Sequence, residues 1–291
     1  MFSPEILFAG LINGLMAGGI YVLVAIGLTL IYGVLHIINF AHGSLLMLAM
    51  YAVFFLWRKP LGLDPYLALP LVTAGAYGFG YVTYRALIGH FSHGKDENIL
   101  LVTLGLAIVM ENAALLLFKS DTHTIETGYT LTTVAIGPAM IALPKLIAFA
   151  GALVVSALML LLMQRTDLGR AIRAVAKEKQ GARLMGIDVD HVYAMSFGIG
   201  LACLGAAACF LLPMYYVNPH AGQGFVLVAF TIVVLGGMGS FAGALVGGLL
   251  VGVVESIGGL VLGESLGQIG VFAIFIAVLL FRPQGLFGAR A

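Results

Sequence analysis

The sequence predicts an all-α protein whose helices cross a membrane about eight to ten times. Its 291 residues are 61% hydrophobic and only 9% charged, whereas roughly a quarter of the residues in a soluble domain are charged. With 14 basic and 13 acidic side chains, the chain could not cover so much apolar surface in water. The composition therefore excludes a soluble enzyme, a nucleic-acid-binding protein and a disordered chain.

Apolar segments define the predicted helices, since a span needs about 20 apolar residues that each rise 1.5 Å. The segments cover residues 6–35, 44–57, 66–88, 98–118, 144–163, 193–217, 224–238, 241–262 and 268–281. Segments 44–57 and 268–281 are short for a full span, and we expect them to be tilted, broken or re-entrant. Because the connections carry no appended soluble region, residues 1–291 are predicted to form a single membrane domain.

Basic residues predict the orientation of the helices. The 164–192 loop holds six Lys or Arg and four Asp or Glu residues, and basic loops stay in the cytoplasm. With this loop inside and nine spans, the four basic residues left outside are Arg58, Lys59, Lys119 and Lys145. The N-terminus is then predicted to lie outside and the C-terminus in the cytoplasm.

A first helix break is predicted near residues 36–44. The apolar stretch from Ile6 to Trp57 would be about 78 Å long as a helix, against roughly 60 Å for two spans. His36, Asn39 and His42 are three residues apart, so on a helix they would form one polar stripe. Asn39 and His42 belong either to a turn at the membrane interface or to a break that lines a pathway.

A second break is predicted near residues 235–240, where three glycines fall within four residues. Glycines weaken a helix and free backbone groups for a ligand, and such interruptions in both halves of a transporter indicate its binding region. The candidates for contact with a solute are Gly236, Gly237, Gly239 and Ser240. Glycines then recur in two series with four-residue spacing, one at 239, 243 and 247 and the other at 248 and 252, a pattern typical of close helix packing.

Two carboxylates lie inside apolar segments. Glu111, followed by Asn112, and Glu255 would be costly at mid-membrane unless they are paired or wetted. They are either structural acids hydrogen-bonded between helices or part of a solute path.

The 164–192 loop contains good helix formers from Gly169 to Ile187. Its basic residues Arg170, Arg173 and Lys177 fall on one face, and Ile172, Val175 and Ala176 fall on the neighbouring face. The segment is either a solvated helix on the membrane surface or a docking element for a partner.

Two other features are predicted to carry no chemistry. Gly89–Asp96 nearly spells a phosphate-binding loop, but Asp96 replaces the hydroxyl that Mg²⁺ needs and no strand precedes it. Cys203 and Cys209 are six residues apart, which does not bring them to one helix face. We interpret them as small hydrophobic residues, and predict no metal site.

Several collinear stretches resemble the permease subunits of the branched-chain amino acid ABC transporters. The stretches are Gly27–Gly33, Ile38–Gly43, Gly169–Ala174, Leu184–Ile187, Asn218–Pro219, Val234–Ser240 and Arg282–Gly288. The resemblance implies a bacterial inner-membrane subunit that pairs with a second, similar permease, two cytoplasmic ATPases and a periplasmic binding protein. ATP and Mg²⁺ would then bind the partner ATPases, with no cofactor on this chain.

The same resemblance implies that residues 164–187 form the coupling helix that seats in the ATPase. The coupling residues would be Gly169, Arg170, Ile172, Arg173, Val175, Ala176, Leu184 and Gly186. We expect the face of Ile172, Val175 and Ala176 to fill an apolar groove of that partner. Because relatives in the family also carry urea and short amides, a small apolar amino acid is the expected but not the only possible substrate. An ion-coupled carrier or channel is the alternative from a different class.

Overall fold

The computed structural model is almost entirely helical. It describes residues 3–58, 61–91, 96–263, 266–282 and 284–287. Its helices are α1 (Pro4–Leu35), α2 (His42–Trp57), α3 (Leu69–Thr83), α4 (Gly89–Phe91), α5 (Asp96–Phe118), α6 (Leu143–Arg165), α7 (Asp167–Lys177), α8 (Lys179–Leu184), α9 (Val189–Leu211), α10 (Ala221–Gly236), α11 (Phe241–Leu262) and α12 (Gly267–Phe281). A π-helical turn, Tyr84–Ile88, joins α3 to α4.

The apolar helices match the predicted segments in order, so the all-α polytopic prediction is confirmed. Five of them, α1, α5, α6, α9 and α11, are long and apolar enough to cross a membrane. Three apolar helices are shorter: α2 and α10 have 16 residues each and α12 has 15. The predicted shortness of segments 44–57 and 268–281 is therefore confirmed, and α10 is equally short.

Helices α1 and α9 form the centre of the bundle. In their apolar windows 83% of the residues are buried, whereas only 22–28% of the residues are buried in the windows of α5, α6 and α11. An outward-facing apolar surface of this kind suits a lipid environment, where there is no water to exclude. The molecule is thus built around two buried helices with more exposed helices outside them.

Glycines let α11 pack directly on α1. Gly14 and Gly18 of α1 face Gly252 and Gly248 of α11, and a Cβ added at Gly18 would lie 2.7 Å from the Gly248 carbonyl oxygen. Such spacing brings two backbones together without intervening side chains. The packing role predicted for these α11 glycines is confirmed, and we call this contact the glycine seam.

The first predicted break is present, but it is not a polar helical stripe. Helix α1 ends at His36, which adopts a left-handed conformation with φ of 57°, and residues 37–41 are not helical. His36, Asn39 and His42 therefore do not form the stripe that a continuous helix would give them, because only His42 lies in a helix. The chain instead turns back into the bundle before α2 begins.

The second predicted break lies between α10 and α11. Gly237 and Gly239 have φ angles of 99° and 86°, a region that residues with a Cβ rarely adopt. The Gly239 backbone packs against Gly33 near the end of α1, since a Cβ at Gly33 would lie 2.8 Å from the Gly239 Cα. The second break is thus packed close to the end of α1, just before the first.

The bundle has two chemically different ends. One end, the basic end, carries residues 164–188, 236–240 and 284–287; the other, the hairpin end, carries residues 61–68, 119–142 and 212–217. Among the described residues, eight Lys or Arg lie at or next to the basic end and three, Arg58, Lys119 and Lys145, at the hairpin end. The remaining basic residues, Lys59, Lys95 and Arg290, lie outside the described residues.

The hairpin end contains the two strands of the structure. Strands β1 (Thr133–Ile136) and β2 (Ala139–Ala142) pair antiparallel, with Thr133 opposite Ala142. The turn between them is Gly137 at φ of 60° followed by Pro138. This small sheet was not predicted and is an exception to the all-helical interpretation.

Candidate functional site

Glu111 lies where the first turns of two short helices meet. The starts of α2 and α10 touch backbone to backbone, since a Cβ at Gly43 would lie 2.6 Å from the Gly222 carbonyl oxygen. The Gln223 amide donates to Glu111 Oε2 at 3.2 Å and to Oε1 at 3.1 Å, and the Ser44 hydroxyl donates to Oε1 at 3.5 Å. Because a helix N-terminus carries partial positive charge, the carboxylate ties two such ends together.

Asn112 is next to Glu111 in sequence but turns away from it. Its side-chain amide donates to the Ile108 carbonyl of the same helix at 2.8 Å, and the residue is exposed. The predicted candidates Glu111 and Asn112 therefore do not act on the same group.

Asn39 and His42 are buried in the first break, with 1% and 0% of their surface exposed. His42 Nε2 lies 3.0 Å from the Val24 carbonyl oxygen, about 16 Å inside the end of α1 at 1.5 Å per residue. Asn39 Oδ1 accepts from the Ala41 N–H at 3.1 Å. In the described part of the chain, Asn39 Nδ2 and His42 Nδ1 have no hydrogen-bond partner. Helix α2 therefore begins well inside the bundle.

The residues of the second break bond to or pack on neighbouring residues of the chain. Ser240 Oγ accepts from the Gly243 N–H at 3.1 Å and so caps α11. Gly236 packs on Gly243, where a Cβ on either glycine would overlap the other's backbone. These contacts occupy the position where we expected exposed backbone.

The C-terminal segment completes this arrangement. The Leu286 N–H donates to the Leu235 carbonyl at 2.9 Å, and the Phe287 N–H donates to the Gly236 carbonyl at 3.0 Å. Two of the carbonyls left open at the end of α10 are thus bonded by the last described residues of the chain. Of the Arg282–Gly288 stretch, Pro283 and Gly288 lie outside the described residues.

Glu255 lies at the inner end of a polar cleft. The cleft is a cavity of about 490 Å³ lined by residues that include Tyr21, Tyr215, Asn218, His220, Phe225 and Gln268. A smaller cavity of about 60 Å³ shares Gly224, Val228 and Gln268 with it and reaches Glu255. We call the two together the Glu255 cleft, and of the predicted candidates only Glu255 lies in it.

Sequence reasoning missed the other polar residues of this cleft. Tyr21 lies in an apolar helix where no periodicity marks its direction, and it lines the wider cavity of the cleft. His220 and Gln268 lie at the starts of α10 and α12. Their signal is positional, because both helices are short and begin inside the bundle.

A third polar cluster joins two loops at the hairpin end. The Tyr129 hydroxyl donates to Asp64 Oδ2 at 2.8 Å, and the Tyr129 ring stacks on Tyr66 with centroids 5.2 Å apart. Burial raises the pKa of the Tyr129 hydroxyl above its usual range, and the hydrogen bond to Asp64 raises this pKa further. The hydroxyl therefore remains a donor through neutral pH.

The basic end differs from the prediction. The 169–187 segment is two helices, α7 and α8, because Glu178 adopts an extended conformation between them. Ile172 and Val175 are 0% and 2% exposed and pack in the protein's own core. The predicted apolar docking face is therefore wrong, since these residues already have partners within the chain. Ala176 is only half-buried.

The outward surface of this region is both basic and apolar. Arg170, Arg173 and Lys177 are exposed as predicted, with Arg170 paired to Asp167. At the end of α8, Leu184 and Met185 are 88% and 82% exposed, just before Gly186 at φ of 80°. Gly169 packs where a Cβ would overlap the carbonyls that end α6, so the tight α6–α7 corner requires a glycine.

The described ranges contain no group of three or more His, Cys, Asp or Glu residues arranged to hold a metal ion. Cys203 and Cys209 are buried and unpaired. Of the phosphate-loop lookalike, residues 92–95 lie outside the described part of the chain.

Comparison with known proteins identifies the family. The chain is 35% identical to the high-affinity branched-chain amino acid transport system permease protein BraD of Pseudomonas aeruginosa, over 96% of this chain and 94% of the relative. It is 32% identical to the corresponding permease protein LivH of Escherichia coli, over 95% of this chain and 94% of the relative. More distantly, it is 27% identical over 67% of its length to the D-allose transport system permease protein AlsC of Escherichia coli. No solved structure matches.

The family whose description is "Branched-chain amino acid transport system / permease component" matches residues 10–280. This match covers the core helices, both breaks and the Glu255 cleft. The resemblance in the short motifs is thereby confirmed, and it extends over nearly the whole chain. The chain belongs to the branched-chain amino acid transport permease family and is a membrane transport component rather than an enzyme.

Proposed function

We propose that this chain forms the translocation path for a branched-chain amino acid in an ATP-driven importer. The observation that carries the proposal is the similarity to named branched-chain amino acid permeases over about the whole length of both chains. Family membership favours this function over an ion-coupled carrier or channel. The Glu255 cleft supports it, because it brings polar groups to a cavity among apolar helices, and a solute needs wetted groups at membrane depth.

The proposed partners are a second similar permease, two cytoplasmic ATPases and a periplasmic binding protein. The basic end would face the cytoplasm, in keeping with its excess of Lys and Arg. The protein would lie in the bacterial inner membrane, with its N-terminus on the outer side and its C-terminus on the cytoplasmic side. ATP and Mg²⁺ would bind the ATPases alone.

We propose that the ATPase contacts α7 and α8, but through other apolar residues than those expected from the sequence. Since Ile172 and Val175 are buried within the chain, the apolar contact would be made by Leu184 and Met185. Arg170 and Arg173 would meet acidic groups at the rim, where charges contribute modestly. A packed apolar side chain at an interface centre contributes about 2 kcal/mol.

A matched pair of methionine variants tests this docking. Met185→Glu should weaken co-purification of the ATPase about 30-fold, the equivalent of 2 kcal/mol, and abolish substrate-stimulated ATP hydrolysis. Met140→Glu is the control, since Met140 is 76% exposed on β2 at the hairpin end. Wild-type ATPase binding by Met185→Glu would exclude this docking surface.

Transport itself is tested in liposomes. The complex of both permeases and ATPases, supplied with binding protein and ATP, should take up leucine, isoleucine or valine. This chain alone should take up none of them. Uptake of urea but no branched-chain amino acid would overturn the proposed substrate, and uptake by the chain alone would overturn the importer class.

A further inference from the structure

The Glu255 cleft combines a carboxylate, the start of a helix and an apolar wall. At its inner end, Glu255 Oε2 is buried and has no hydrogen-bond partner among the described residues. A buried carboxylate oxygen without a donor is costly. It therefore points to a ligand that supplies a donor or a cation.

The start of α12 borders the same cavity as Glu255. Gln268, the second residue of α12, lines the smaller cavity together with Glu255, and a Cβ on the preceding Gly267 would lie 2.8 Å from the Glu255 backbone carbonyl oxygen. Leu266 provides no side-chain cap, so the first amides of α12 have no side-chain acceptor from the capping position. These amides carry partial positive charge and favour an anion.

Gln268 extends the same site. Its side chain lines both cavities of the cleft, so it lies between the carboxylate of Glu255 and the wider space outside. A group that can bind an anion and a group that can bind a cation thus lie side by side. An α-amino acid, which carries its ammonium and its carboxylate on one Cα atom, requires this arrangement. Gly224 of α10 lines both cavities as well and leaves open space, since nothing lies within 4 Å of a Cβ built on it.

The wider cavity supplies the apolar wall. Phe225 and Val228 of α10 line it, opposite Tyr21 of α1. Its volume of about 490 Å³ lies within the range of pockets that hold small molecules. The cleft therefore has room for an aliphatic side chain next to the charged groups.

We propose that the Glu255 cleft is a binding station for a zwitterionic α-amino acid on its way through the permease. Glu255 accepts the α-ammonium group, the first amides of α12 and the Gln268 side chain hold the α-carboxylate, and Phe225 and Val228 contact the side chain. The inference rests on the proposed function for its substrate class. It adds residue roles that the family comparison does not assign.

Binding is measured on the intact permease–ATPase complex in nanodiscs, without binding protein, with radiolabelled L-leucine as the probe. Unlabelled 4-methylpentanoate, which lacks the ammonium group, should not compete at tenfold excess. Isoamylamine, which lacks the carboxylate, should compete weakly. Competition by 4-methylpentanoate equal to that of L-leucine would contradict the role of Glu255.

Variants separate the two ends of the ligand. Glu255→Gln should weaken L-leucine binding at least tenfold, whereas Gln268→Leu should weaken L-leucine but leave isoamylamine binding unchanged. Glu126→Gln, on an exposed loop at the hairpin end, is the control with wild-type binding. If Glu255→Gln does not assemble, the Gln268→Leu result decides alone.

The outcomes distinguish this inference from the proposed function. Undetectable L-leucine binding to the wild-type complex, or wild-type binding by both variants, overturns the binding station even where ATP-driven leucine uptake is intact. Leucine binding at this cleft in a complex that takes up no branched-chain amino acid overturns the proposed function instead.

Discussion

Gly252 lies so close to α1 that its missing side chain is part of the packing. A Cβ at this position would overlap the backbone of Gly14 and Gly18, and a backbone shifts less readily than the end of a side chain. The contact is between two main chains, which is the closest approach that helices make. Single atoms therefore set the spacing of α1 and α11.

The first prediction compares two glycine-to-alanine changes. Gly252→Ala should destabilise the protein by about 1–3 kcal/mol, the usual cost of overpacking. Gly105→Ala, within α5 with nothing in the space of its Cβ, should be neutral or stabilising because alanine favours helix. Thermal unfolding of the two detergent-solubilised variants measures the difference. Equal unfolding midpoints for the two variants would show that the glycine seam has room for a Cβ atom.

At the scale of the element, Glu111 joins two helices that begin inside the bundle. Helices α2 and α10 meet at Gly43 and Gly222, and the carboxylate accepts donors from both first turns. The donors are the Ser44 hydroxyl and the Gln223 side-chain amide, polar groups that have no water to bond in hydrocarbon. Glu111 was predicted as a candidate because it lies in an apolar segment, and it accepts hydrogen bonds from two short helices at once.

The second prediction uses the neighbouring residue as a control. Glu111→Leu should lower the unfolding midpoint and expose the α2–α10 contact to proteolysis, because Gln223 and Ser44 lose a charged acceptor worth about 1.5–3 kcal/mol. The unfolding midpoint of Glu111→Gln should fall between those of the wild type and Glu111→Leu. Asn112→Leu should be tolerated, since Asn112 is exposed and bonds only within its own helix. If Glu111→Leu and Asn112→Leu lowered the unfolding midpoint equally, the role of Glu111 in joining α2 to α10 would be contradicted.

The element scale also separates what sequence could predict from what it could not. Runs of apolar residues and glycines predict where helices begin, break and approach one another, and these predictions held at His36, Gly237 and Gly252. The direction of a side chain was not predictable, because α1 and α12 are apolar on all sides. Ile172 and Val175 were assigned to a partner since their contacts within the chain come from distant helices.

Turn chemistry could have indicated the small sheet. Gly137–Pro138 is a turn dipeptide next to threonine and other β-branched residues that favour strands, but the two strands have only four residues each. Tyr21 had no local signal, and Gln268 had only its position at the start of a short helix, since their meaning comes from a cleft assembled by four helices. The Glu255 site was therefore predictable as one acid but not as a constellation.

At the scale of the whole molecule, the two ends carry unequal charge. Eight of the described basic residues lie at or next to the basic end and three at the hairpin end. This asymmetry orients membrane proteins with the basic side in the cytoplasm. Each end also offers one unusually exposed leucine, Leu184 and Leu131, at 88% and 94%.

The third prediction labels these two leucines. In intact cells, Leu131→Cys should react with a membrane-impermeant thiol reagent, whereas Leu184→Cys should react only after the membrane is opened. The native Cys203 and Cys209 are buried and should give no background. Labelling of Leu184→Cys from outside would reverse the orientation and remove the ATPase contact from α8.

The start of α2 inside the bundle constrains how the chain is made. His42 lies beside Val24, well short of the end of α1, yet the acid that serves this helix end belongs to α5 and its second partner to α10. During synthesis, residues 42–57 would therefore reach the insertion machinery before the acceptor of the Ser44 hydroxyl exists. The nascent chain must keep α2 in a protected, provisional position until Glu111 has been translated. We expect biogenesis of this protein to depend on retention of early helices at the translocon or on a membrane chaperone, rather than on release of each helix in turn.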